Sequence, residues 1–174
     1  MIPQLQVREA TIEDLYKVEG KAEIVNGKVV LMPPTGDDPG RAGFEIAVHL
    51  RQHERETGLG RAYSDNVGFN VLLPNRKSFS PDAAFFTGQP AGMKFLEGSP
   101  DFAAEVRSEN DYGNAAEREI AKKRADYFAA GTLVVWDVDL LGEDVIKSYH
   151  ADDPENPTIF RRGEIANAEP AVPG

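Results

Sequence analysis

Three patterns predict an α/β fold, mixed in the α+β sense, with an N-terminal β-hairpin. Residues 22–25 and 28–32 are apolar runs joined by Asn26-Gly27, which takes the positive φ angles of a type I′ turn cheaply. Residues 102–106 and 133–138 read as short apolar strands separated by a helical stretch at 115–130. That order is a crossover unit, and it leaves its two strands as neighbours. Residues 145–150 and 158–161 form a last hairpin around a turn-rich 152–157. At 174 residues, one domain over residues 1–174 is expected, with chain enough for a core.

The remaining elements follow along the chain. Residues 11–18 open a short helix, with Thr11 as N-cap and Asp14 three residues on, a pattern like a capping box. Pro, Gly and Asp make residues 33–40 a loop. Residues 42–56 are helical, with Phe44, Ala47, Val48 and Arg51 on one face, Ile46, Leu50 and His53 alongside, and Gly58 as the stop. Strands are expected at 67–73 and 82–86, linked by the turn-rich 74–78, and residues 88–98 are irregular. The tail from Ala166 is small and Pro-rich, and is expected to be loose.

Composition narrows the function. The chain has no cysteine, which excludes disulfides and thiolate metal sites and suits a cytoplasmic location. Met1-Ile2-Pro3-Gln4-Leu5 lacks the basic start and apolar run of a signal peptide, and no stretch is apolar enough to span a membrane. The net charge of −10 repels a nucleic acid at long range, so any such binding needs a local basic cluster or metal ions. Arg118, Lys122, Lys123 and Arg124 on one helix, then Arg161 and Arg162, are the candidates, set against a reading as solvated surface charge.

Chemistry concentrates in two strand-like segments that each carry one acid. In Asp82-Ala83-Ala84-Phe85-Phe86 the acid shares a face with Ala84 and Phe86. In Phe102-Ala103-Ala104-Glu105-Val106 it shares a face with Ala103. An acid among apolar strand residues is costly unless neutralised, and one divalent cation neutralises two. The small alanines leave room for an ion or a phosphate. Asp82 also fits the role of a turn acid after Pro81, whereas Glu105 is harder to solvate. On the following helix, Ile120, Tyr127 and Phe128 form the apolar face, with Lys123 at its edge. Lys122 points away and can pair with Asp126; Lys123 points inward, or snorkels and pairs with Glu119.

Other motifs are weak. His49 and His53 stand i, i+4 but without the glutamate of a zinc-protease motif, and surface positions are expected for them. A Gly-x-Ser-x-Gly elbow, a Walker loop and a dinucleotide-binding glycine motif are all missing from the sequence.

Taken together, Ala22-Glu23-Ile24-Val25-Asn26-Gly27-Lys28, Ser80-Pro81-Asp82, Pro100-Asp101-Phe102-Ala103-Ala104-Glu105-Val106-Arg107-Ser108, Lys123 with Tyr127, Ala130-Gly131 and Val135-Trp136-Asp137-Val138-Asp139 resemble the Uma2 family (DUF820) of restriction-endonuclease-like proteins, within the PD-(D/E)XK nuclease superfamily. The resemblance covers nearly the whole chain in order. It implies a restriction-endonuclease-like core, a mixed β-sheet flanked by helices, and Mg²⁺-dependent endonuclease activity on DNA, with Asp82 and Glu105 holding Mg²⁺ or Mn²⁺. The superfamily lysine normally follows the glutamate by two residues, where this chain has Arg107; similar family members carry it on the next helix, at the place of Lys123. Glu23 matches an acid near the site. Family members often carry a histidine at the start of the second helix, where this chain reads Pro39-Gly40-Arg41-Ala42-Gly43, with Glu45 as a substitute polar group. Arg118 and Arg124, with Arg107, are expected to contact phosphate, DNA binding is expected to be weak in isolation, and a homodimer is expected. Two other readings stand beside this one: a degenerate nuclease fold that binds without cleaving, and a structural acidic protein whose acids are satisfied by Arg107 and Lys123.

Overall fold

The computed structural model describes residues 8–174, so the reading of residues 1–5 lies outside the described residues. The chain runs α1 (Ile12–Leu15), β1 (Ala22–Val25), β2 (Lys28–Leu31), α2 (Asp37–Thr57), β3 (Arg61–Ser64), β4 (Phe69–Asn70), β5 (Ser78–Phe79), β6 (Ala83–Phe86), β7 (Leu96–Glu97), β8 (Phe102–Val106), α3 (Asn114–Ala130), β9 (Val134–Val138), β10 (Ile146–His150) and β11 (Asp153–Phe160). Among the described residues the central sheet has the order β11-β10-β9-β8-β6-β3. Within this sheet only the β8–β9 pair is parallel, because α3 carries the chain back between them as the crossover pattern predicts. A small sheet, β5-β4-β7, and the β1–β2 hairpin complete the strands.

Strand periodicity sorts the core into two sides. Ala83, Phe85, Phe102, Ala104, Val106, Val134, Trp136 and Val138 face α2, where Ala47 and Leu50 meet them. Ala84, Phe86, Ala103 and Val135 face the other way, against Tyr127 of α3 and Phe69 and Phe79 of the small sheet. Glu105 and Asp137 continue the second set by alternation, so both point to the α3 side. The result is a mixed sheet flanked by helices, as expected.

Several boundaries depart from the sequence reading. Helix α2 starts at Asp37, inside the expected loop. Pro39 is third in the helix, where backbone N–H groups have no intrahelical partner, so its missing donor costs nothing. The face of α2 also differs: Phe44 and Val48 are exposed, and the buried line is Gly43, Ala47 and Leu50. Small residues let the helix approach closely, and a Cβ at Gly43 would lie 3.5 Å from the Cβ of Asp82. The expected strand at 67–73 shrinks to β4, which pairs with β5 and β7 instead of joining the main sheet. Strand β11 begins at Asp153, within the expected turn; it is an edge strand, the place in a sheet where prolines such as Pro154 and Pro157 are tolerated. The tail is not loose: Ala168, Ala171 and Val172 are buried in the α2-side core. The Asn26-Gly27 turn is as read, with φ of 50° and 71°, and Gly58 ends α2 at φ 67°.

Candidate active site

The register of the two acid-bearing strands sets the site. Strands β6 and β8 are antiparallel, with Ala83 opposite Ala104 and Ala84 opposite Ala103. One step further, the Asp82 N–H donates to the Ala104 carbonyl at 3.1 Å, so Asp82 stands across from Glu105 at the end of the ladder. Opposed residues on adjacent strands share a face and approach to about 5 Å between Cβ atoms. The sequence placed the two acids on comparable faces; the pairing brings them together.

The rest of the site comes from the hairpin and α3. Strand β1 is pinned to the 76–78 segment: the Ile24 N–H donates to Ser78 Oγ at 2.9 Å and the Lys77 N–H to the Ile24 carbonyl at 3.1 Å. That docking buries Glu23, which is 1% exposed. Its carboxylate accepts from Arg76 Nη1 at 2.6 Å, the Ser80 N–H at 2.8 Å and Lys123 Nζ at 3.0 Å. Lys123 also reaches Glu105 Oε1 at 2.8 Å, and the same oxygen accepts from the Tyr127 hydroxyl at 2.5 Å. On the near side, Lys21 Nζ lies 2.8 Å from Asp82 Oδ1 and 2.6 Å from Asp65 Oδ1. The other Asp82 oxygen, Oδ2, accepts from the Val106 N–H at 2.7 Å.

Electrostatics follow from this crowding. Burial pushes the Glu105 carboxyl above its usual range; Lys123 opposes this, while the neighbouring Asp82 and Glu23 add to it. Burial acts on Glu23 in the same sense but is outweighed by Lys123 and Arg76, which hold it below the usual range. Burial disfavours the Lys123 ammonium, yet Glu105 and Glu23 together raise it above its ordinary value, so it is charged at neutral pH. Burial, and then the Glu105 charge, push the Tyr127 phenol well up, so Tyr127 is a hydrogen-bond donor here.

Asp82, Glu105, Lys123 and Glu23 are thus brought into one cluster. The other sequence-derived candidates lie apart from it. Arg107 is buried and pairs with Asp137 through two 2.7 Å hydrogen bonds and with Glu117, so its charged partners are these two acids and not Glu105. Glu45 pairs with Arg41 at 3.2 Å on α2. Arg118 is exposed on α3, and Arg124 stacks on the Tyr149 ring at 3.7 Å. Lys122 is exposed and pairs with Glu119 at 2.8 Å, not with Asp126, which turns inward to Arg76 Nε at 2.8 Å. Lys123 accordingly takes the inward option, not the Glu119 pair. His49 faces solvent and His53 is half-buried, its ring edge-on to Phe85 at 5.5 Å, so the two are not a joint ligand pair. Ala84 and Ala103 share a buried cluster with Tyr127, which stacks on Phe79 at 3.9 Å.

Three site residues escaped the sequence reading: Lys21, Arg76 and the hydroxyl of Tyr127. Lys21 is the one with a legible signal, since it precedes Glu23 by two residues and therefore shares its side of the hairpin.

The fold is that of an α/β protein with a mixed sheet flanked by helices. A putative nuclease belonging to DUF820 from Anabaena variabilis superposes with a TM-score of 0.71 at 17% identity, covering 94% of this chain and 90% of that one. At this identity the likeness is one of fold. No curated protein matches the chain. Residues 10–174 match the Uma2 family, whose description is putative restriction endonuclease, and the chain belongs to that family. Among the described residues, no helix is long and apolar enough to cross a membrane.

Proposed function

We propose that this chain is a divalent-metal-dependent endonuclease that hydrolyses DNA phosphodiester bonds, with Asp82 and Glu105 holding Mg²⁺ or Mn²⁺ and Lys123 as the catalytic cation. The observation that carries the reading is the meeting of Asp82 and Glu105 across β6 and β8 with Lys123 at 2.8 Å from the glutamate. The donors suit the metal: both are carboxylates, the hard oxygen ligands that these cations prefer. Among the described residues no group of three His, Cys, Asp or Glu side chains is disposed to hold a metal. Mg²⁺ characteristically takes one or two carboxylates and retains several waters, so a pair of acids is a fitting set.

When bound, the cation supplies Lewis-acid stabilisation of the charge that develops on the phosphate and a more acidic nucleophilic water. The chain supplies the rest. Arg76 and the Ser80 N–H hold Glu23, and Glu23 with Glu105 fixes the Lys123 ammonium between them. A cation held by two carboxylates is preorganised for phosphate charge and needs no reorganisation during reaction. The Tyr127 hydroxyl orients Glu105. Arg118 and Arg124 contact the DNA backbone, weakly, because the net charge of −10 opposes association. A homodimer would present two sites to the two strands. The cytoplasm is the expected location.

A plasmid-nicking assay at low salt with Mg²⁺ or Mn²⁺, run beside Glu105→Gln, tests this reading. Cleavage by the parent and none by the variant is expected. Equal cleavage by both would mean a contaminant. No cleavage of DNA or RNA with either metal would favour a nuclease fold that binds without cleaving.

A further inference from the structure

We infer that Lys21 is a built-in competitor of the divalent cation: its ammonium and the metal contend for Oδ1 of Asp82, and Asp65 receives the lysine when the metal wins. The inference rests on the proposed metal site and concerns how that site is filled.

Asp82 has one oxygen committed. Oδ2 accepts the Val106 N–H at 2.7 Å, inside the ladder, while Oδ1 is engaged by Lys21 at 2.8 Å. A cation taking Asp82 through its outward oxygen therefore meets an ammonium already there. Sharing is unfavourable, because a monocation and a dication a few ångströms apart repel with little intervening water. Lys21 also feels Glu105, the other proposed ligand. Its removal from Asp82 is eased by Asp65, whose Oδ1 is 2.6 Å from the same nitrogen and whose side chain is 47% exposed. A lysine ammonium is a compact charge on a flexible stem, suited to such a transfer. Lys21 is not required to position the aspartate: the Val106 N–H holds the carboxylate, and α2 passes so close that a Cβ at Gly43 would lie 3.5 Å from the Asp82 Cβ.

Calorimetric titration of the full chain with Mn²⁺ alone tests the inference, using Lys21→Met, Asp65→Asn and the double variant. Lys21→Met should bind Mn²⁺ about tenfold more tightly than the parent. Asp65→Asn should bind several-fold more weakly, because Lys21 then has only Asp82 to hold. The double variant should match Lys21→Met, since Asp65 acts only through the lysine. Thermal melting gives a second readout: Mn²⁺ should raise the Tm of Lys21→Met more than that of the parent, whatever their metal-free values. Equal or weaker binding by Lys21→Met, or an Asp65 effect that persists without Lys21, overturns the inference while leaving the metal site standing. No Mn²⁺ binding by any variant, parent included, removes the metal site and the competition with it.

Discussion

Glu105 and Asp137 are register partners on adjacent parallel strands and face the same side of the sheet, yet their surroundings differ in kind. Asp137 meets the fork of Arg107, with both oxygens taken at 2.7 Å, and Glu117 closes the other edge of the guanidinium. Glu105 meets ammonium and phenol: Lys123 at 2.8 Å and Tyr127 at 2.5 Å, both on Oε1. The guanidinium geometry matches a carboxylate in two places at once and is not readily exchanged; an ammonium is a point charge that another cation can replace. The Arg107 group is a closed structural network. The Glu105 group keeps 26% of its side chain open and shares each of its lysines between two acids. Buried charge becomes a site where its counter-ions can be exchanged.

The strongest test of this contrast breaks the closed network. Arg107→Ala leaves Asp137 buried without its partner and should lower stability by about 3–5 kcal/mol in urea denaturation. Pairing it with Asp137→Leu should recover most of the loss, because both buried charges then go together. At the open site the same logic predicts the reverse. Glu105→Gln should weaken Mn²⁺ binding by at least about tenfold by calorimetry, whereas its metal-free Tm should stay equal or rise. The sign follows from linkage: a carboxyl raised in the folded state binds more protons there than when unfolded, so its ionised form costs stability at neutral pH, and the amide removes that cost. A fall in stability comparable to Arg107→Ala would place Glu105 with the structural charges.

Lys123→Ala should abolish cleavage and destabilise the fold by about 1–3 kcal/mol, since Glu23 is fully buried and retains only Arg76 as a charged partner. Lys122→Ala should stay within about 0.5 kcal/mol of the parent, its partner Glu119 being as exposed as itself. A pH-dependent effect lies at the margin of the closed network. Burial and a 2.8 Å hydrogen bond to Asp139 push the Tyr112 phenol up to about 12. A group raised in the folded state contributes stability that is fully present below its unfolded value of about 10 and lost as pH rises through the folded value. Tyr112→Phe should therefore be about 1 kcal/mol less stable at pH 8, with the gap to the parent shrinking between pH 10 and 12 in parallel melts.

Local signals carried far in this chain. Asn26-Gly27 specified its turn because few residues accept two positive φ angles, and the alternation in β6 and β8 put Asp82 and Glu105 on definable faces. Helical spacing separated Lys123 from Lys122, because an angle of 100° per residue turns adjacent side chains apart. What local pattern could not convey was which faces meet. The pairing of β6 with β8 is a long-range choice made by the buried alanines and phenylalanines, and it alone sets the two acids opposite each other. Arg107 looked like a lysine substitute from its spacing; only the parallel neighbour β9 supplied the carboxylate that claimed it. Lys21 and Arg76 are charged residues in a hairpin and a turn, unremarkable in sequence, and the docking of β1 onto residues 76–78 made them counter-ions of the acids. The sequence by itself determined the elements and the side each acid faces, since both follow from local geometry. The tertiary structure decided which charge neutralises which, because that depends on contacts between segments tens of residues apart.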